Sequence, residues 1–97
     1  MTQTPTLEIA KFRAEPSKEF LAARAAAISA LSRECSGLVS TRLVRYDDDV
    51  LADEFVWRSR EEAEAAAKRA PTIPEPGRYF GLIAEVVSMD HADIIAS

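Results

Sequence analysis

Apolar residues recur at two different spacings along this chain. From Leu7 to Arg13 they alternate loosely with polar residues in a run rich in Leu, Ile and Phe, which predicts a strand. Pro16 ends that run, and Ser17 is a plausible cap for a helix reaching to about Ser36. On this helix Leu21, Ala25, Ile28, Leu31 and Cys35 recur at helical spacing with Glu19, Ala26, Ser29 and Arg33 opposite, so the first set is expected to face inward. Gly37 follows the last periodic residue, where a left-handed helix terminus is common.

Leu38 to Tyr46 predicts a second strand, Asp47-Asp48-Asp49 a turn, and Leu51 to Arg58 a third strand antiparallel to the second. The three adjacent carboxylates lack the spaced ligands and distal Glu of a calcium loop, so a solvated hairpin turn is expected. Ser59 and Glu62 form S-x-x-E, a capping box at the start of a second helix whose inward stripe is Ala63, Ala66, Ala67 and Ala70. Pro71, Pro74, Pro76 and Gly77 are expected to close that helix and form a loop. A last strand is expected from Tyr79 to about Met89, followed by a short tail with His91, Ile94 and Ile95.

The resulting order, β-α-β-β-α-β, is the ferredoxin-like arrangement of the α+β class, with two helices on one face of a four-stranded antiparallel sheet. Clean alternation is expected of a sheet with one wet side, yet these strands are apolar on both sides. Phe80, Leu82, Ala84 and Val86 oppose Ile83, Val87 and Met89, while Leu7 and Ile9 oppose Ala10 and Phe12. Two helices cover one face, so a homodimer joined through the sheet faces is expected to cover the other. Phe55 and Trp57 share one side of their strand. They are expected between the two sheets, with the helix-facing direction weighed nearly as heavily.

Composition narrows the partners. The 97 residues make one domain, 1–97, near the lower size limit for a self-sufficient core. A net charge of -4 argues against nucleic acid, which demands clustered positive charge. No stretch approaches the roughly 20 apolar residues that span a bilayer, and the opening residues have no basic start or apolar run of signal-peptide length. A lone cysteine, Cys35, reads as a small core hydrophobe and suits a reducing compartment, so a cytoplasmic location is expected.

Three stretches carry a resemblance. "IAKFRAEPSKEFLAA", with Gly37 entering the second strand, "FVWRSREEAEAAA" at the junction into the second helix, and the ending "YFGLIAEVVSMDH" are similar to the antibiotic-biosynthesis-monooxygenase-like family of dimeric α+β barrels. The resemblance covers almost the whole chain. It implies a sheet-to-sheet dimer, and it includes cofactor-free oxygenases of aromatic polyketides as well as haem-degrading enzymes. In the former a substrate is deprotonated and its anion reacts directly with dioxygen. The haem-degrading members use an Asn, a Trp and a His that this chain does not match. It has no Asn, and Ala66 stands where that Trp would align.

The candidate chemistry is sparse. His91 is the only histidine, hence the one side chain whose ordinary pKa makes it a base near neutrality, although a structural or interface place is also open to it. One His and one Cys offer no recognised metal spacing, so neither metal nor cofactor is expected. Glu54, Glu85, Arg42 and Lys11 interrupt apolar strands, and each must pair, reach the rim or line a cavity. Two classes of function follow. One is a cofactor-free oxygenase of a small aromatic or quinone-like substrate, with His91, Glu54 or Glu85 as base, Arg42 offsetting negative charge, and Phe55, Trp57, Tyr79 and Phe80 holding the ring. The other is a non-catalytic barrel that binds a small molecule or serves assembly.

Overall fold

The computed structural model of the protein describes residues 3–97. The strands are β1 (Thr6–Arg13), β2 (Leu38–Arg45), β3 (Leu51–Trp57) and β4 (Glu85–Asp93). The helices are α1 (Lys18–Glu34), α2 (Arg60–Arg69) and α3 (Pro74–Phe80). The strands form one antiparallel sheet in the order β2-β3-β1-β4. The chain is therefore the expected α+β, ferredoxin-like β-α-β-β-α-β arrangement with one additional helix.

Both main helices start where side-chain oxygens replace missing backbone partners. Ser17 Oγ accepts from the Phe20 amide and Ser59 Oγ from the Glu62 amide. The Asp47–Asp49 turn closes through Asp49 in the left-handed region at φ 68°, with Asp48 Oδ1 accepting from the Val50 amide.

Alternation along β1 and β3 sends Thr6, Glu8, Ala10 and Phe12, with Leu51, Asp53, Phe55 and Trp57, toward the helices. The core has two parts. Trp57, Phe55, Ala30 and Leu31 pack with Ala63, Ala66 and Ala70, while Phe12, Leu51, Phe20 and Tyr79 pack with Ala23 and Ala27. Bulk on the sheet meets alanine on the helices, so large side chains from one layer pack against small ones from the other. The aromatic pair thus points toward the helices, against the direction weighed first, and Glu54 and Val56 take the other face.

Two further expectations are corrected. The inward stripe of α1 is Phe20, Ala23, Ala27, Ala30 and Leu31. Leu21 is 48% exposed and Ala25 lies outward as well. An alanine-rich helix has a weak apolar direction, so one large side chain sets its rotation. Phe20 does so by wedging beside Phe12 and Tyr79, with ring centroids 6.0 and 5.1 Å away. The second correction concerns the prolines. Pro74 occupies the first turn of α3, where its fixed φ and missing N–H are tolerated, so the segment continues as helix through Tyr79 and Phe80. β4 consequently begins at Glu85 rather than Tyr79 and runs past His91, which lies within the strand.

Leu7, Ile9, Val44 and Val56 on the helix-free face are only half-buried. Among the described residues no helix is long and apolar enough to cross a membrane.

Candidate functional site

A cavity of about 150 Å³ lies between the sheet and the helical layer. β1 contributes Glu8, Ala10 and Phe12 to it; β3 contributes Asp53, Phe55 and Trp57. The roof is Leu31, Ala66, Ala67 and Ala70, closed at one end by Pro71, Tyr79 and Phe80, with Ile83 and Met89 beside them. The space has a local cause. Ala10 pairs across the sheet with Asp53 and Met89, and it lines the cavity together with Ala66, Ala67 and Ala70. Small residues on both sides leave a gap that larger neighbours frame. Ala67, Pro71, Phe80 and Met89 line the cavity yet reach the surface, so they form its mouth.

Two carboxylates interrupt this apolar lining, and their support differs. Asp53 is 2% exposed and sits against Arg24, whose Nη2 donates to Oδ1 at 2.8 Å while Nε lies 3.2 and 3.1 Å from the two oxygens. The Tyr79 hydroxyl donates to Asp53 Oδ2 at 2.5 Å. Burial, then the adjacent Asp53 charge, pushes the Tyr79 phenol well above its ordinary range, so it stays a neutral donor. Burial alone would lower the Arg24 pKa, but the hydrogen bond and charge of Asp53 outweigh it and raise it. This network ties α1, β3 and α3 together and leaves Asp53 compensated.

Glu8 is held differently. The Trp57 indole Nε1 donates to its Oε1 at 3.0 Å, a buried bond between strands 49 residues apart. His91 faces Glu8 directly across β1 and β4, with Nε2 3.5 Å from Glu8 Oε2. That nitrogen is buried and makes no hydrogen bond among the described residues; the Thr6 hydroxyl, on the same face, is in the same condition. Unpaired buried polar atoms are uncommon. Of the two, the His91 nitrogen is the one that faces a carboxylate, that of Glu8.

The aromatics named from sequence, Phe55, Trp57, Tyr79 and Phe80, all converge on this cavity. His91 stands behind Glu8. Arg42 and Glu54 pair with each other on the helix-free face, and Glu85 is exposed at the start of β4 opposite Arg13. Sequence reasoning missed Glu8, Asp53 and Arg24. A usable signal existed for the first two, since Glu8 shares the parity of Ala10 and Phe12, and Asp53 that of Phe55 and Trp57. Burial raises the Cys35 thiol, consistent with a packed, unreactive side chain. Among the described residues no group of three or more His, Cys, Asp or Glu side chains is arranged to hold a metal ion.

No family model matches this sequence, and no curated protein matches it either. Solved structures do. A candidate antibiotic biosynthesis monooxygenase from Bordetella bronchiseptica superposes with a TM-score of 0.75 at 19% identity, covering 97% of this chain and 100% of that one. The chain shares the fold of the antibiotic-biosynthesis-monooxygenase-like proteins. SnoaB, a cofactor-independent oxygenase from Streptomyces nogalater, matches with a TM-score of 0.70 at 18% identity over 97% of this chain and 94% of its own. The hydroxynitrile lyase of Passiflora edulis matches at 0.69 and 12% identity, over 97% and 96% of the two chains. One fold thus carries different reactions, and the choice among them rests on the site.

Proposed function

We propose that this protein is a cofactor-independent oxygenase of a small, electron-rich aromatic ring such as a phenol or hydroquinone, and that Glu8, backed by His91, is its base. One observation carries the reading: an apolar cavity sized for a single ring, comparable to cavities that admit benzene, presents the Glu8 carboxylate at its wall. Phe55, Trp57, Tyr79 and Phe80 hold the ring. A larger substrate extends through the mouth beside Phe80.

The chemistry balances without an external reductant. Glu8 takes the phenolic proton, and His91 Nε2, 3.5 Å away, gives that proton a path outward. The phenolate passes an electron to dioxygen, and the resulting radical pair joins through a new C–O bond at a ring carbon that bears hydrogen. The peroxide takes up a proton, its O–O bond breaks, and the ring carbon loses its hydrogen as a proton, leaving a quinone and water. Phenol plus dioxygen thereby gives quinone plus water, the substrate supplying all four electrons. Glu54 and Glu85 have no part in this scheme because neither lines the cavity, and Arg42 is occupied by Glu54 on the opposite face.

Oxygen uptake over a panel of phenols, hydroquinones and anthrone-like compounds tests the reading. Turnover with one atom of labelled dioxygen in the product is expected, falling by about 100-fold or more in Glu8→Gln. Absence of uptake across the panel would refute it.

The protein acts as a homodimer in this reading, joined through the helix-free face. The half-buried Leu7, Ile9, Val44 and Val56 support that pairing, as does the resemblance to dimeric barrels.

A further inference from the structure

Every ionisable side chain with a charge on the cavity wall is an acid. Glu8 and Asp53 are there, and among the described residues no lysine, arginine or histidine lines the space. Arg24 cancels the charge of Asp53, and the Tyr79 hydroxyl occupies a further lone pair. Glu8 has no such partner. It receives the Trp57 N–H on Oε1, its Oε2 accepts no hydrogen bond among the described residues, and His91 compensates it only when protonated. The wall and its supports therefore sum to one net negative charge beside an apolar space, with an acceptor left open.

Like charges in such a low-dielectric setting repel strongly, whereas a donor O–H or N–H meets a waiting carboxylate. Resting on the reading of this cavity as a ring site, we infer that it selects uncharged aromatic ligands that donate a hydrogen bond, phenols over benzoates, and that Glu8 sets this preference. Ring size does not distinguish the two ligand types. Charge and donor capacity do.

The test is an anaerobic titration of the full chain with phenol, hydroquinone and benzoate at mildly alkaline pH, followed on the indole N–H resonance of Trp57, the chain's one tryptophan. Saturable binding of the phenols is expected, with benzoate at least about tenfold weaker. Glu8→Gln is expected to weaken phenol and strengthen benzoate, because the amide can donate, bringing the two within about threefold. Benzoate within about threefold of phenol in the native protein, no saturable binding of either, or an unchanged preference in a folded Glu8→Gln variant would each overturn the inference. The native comparison decides even where the variant fails to fold. With dioxygen absent, a phenol that binds but is never oxidised in the uptake assay refutes the oxygenase reading and leaves the selectivity standing. An oxidised phenol with equal benzoate affinity does the reverse.

Discussion

Trp57 fills the core against the alanines of α2 and, through its indole N–H, holds Glu8 in place. Trp57→Phe keeps most of the ring volume but leaves the buried carboxylate without its donor, so a loss of about 1–3 kcal/mol is expected in urea unfolding. A loss below the resolution of that experiment would show the bond to be unimportant. Tyr79 carries a pH signature. Its folded-state pKa is raised above the ordinary value of about 10, so its contribution to stability is complete below that pH and is lost as the pH climbs past it. Thermal unfolding between about pH 9 and 12 should therefore show a decline that is shallower in Tyr79→Phe; identical slopes would contradict the assigned environment. At this scale the sequence was partly legible. The four aromatics stand out by size and flank the predicted junctions. Glu8 and Asp53 are betrayed only by strand parity, and Arg24 meets Asp53 across 29 positions, a contact no local pattern encodes.

Strands and capped helices follow from short-range rules, which is why their order could be read from the chain, whereas the rotation of α1 and the existence of α3 could not. Alanine contributes little directional burial, so Phe20 decides the rotation of α1 through contacts made only in the folded molecule. Prolines that interrupt a helix interior also fit its first turn, and three of them in close succession read equally well as a loop. The junction between α1 and β2, where it meets the start of α2, is more constrained. Gly37 adopts φ +95°, its carbonyl accepts from the Arg58 amide, and a Cβ there would fall 2.0 Å from Glu62 Oε2. Glu62 is itself drawn below the ordinary carboxylate range, first by the hydrogen bond from Arg58. Gly37→Ala should cost about 1–2 kcal/mol from backbone strain alone. Adding Glu62→Ala should relieve only the clash, so near-complete recovery in the double variant would show that the left-handed backbone carries no penalty.

The molecule as a whole has one covered sheet face and one that is not. Leu7, Ile9, Val44 and Val56 occupy the second, interspersed with the Arg42 and Glu54 pair. Sedimentation at micromolar concentration is expected to show a dimer that Val56→Lys or Ile9→Asp dissociates; a native monomer would remove the pairing without touching the cavity, which is built within a single chain. The central claim is that the space between sheet and helices, lined by the small side chains of Ala10, Ala66, Ala67 and Ala70, receives an aromatic ring next to Glu8. A crystal structure of the protein with a brominated phenol, the halogen located by its anomalous scattering, tests this directly. The predicted result is the ring between Phe55 and the α2 alanines with its hydroxyl on Glu8. A ring bound elsewhere, or a cavity closed by its own side chains, would contradict it.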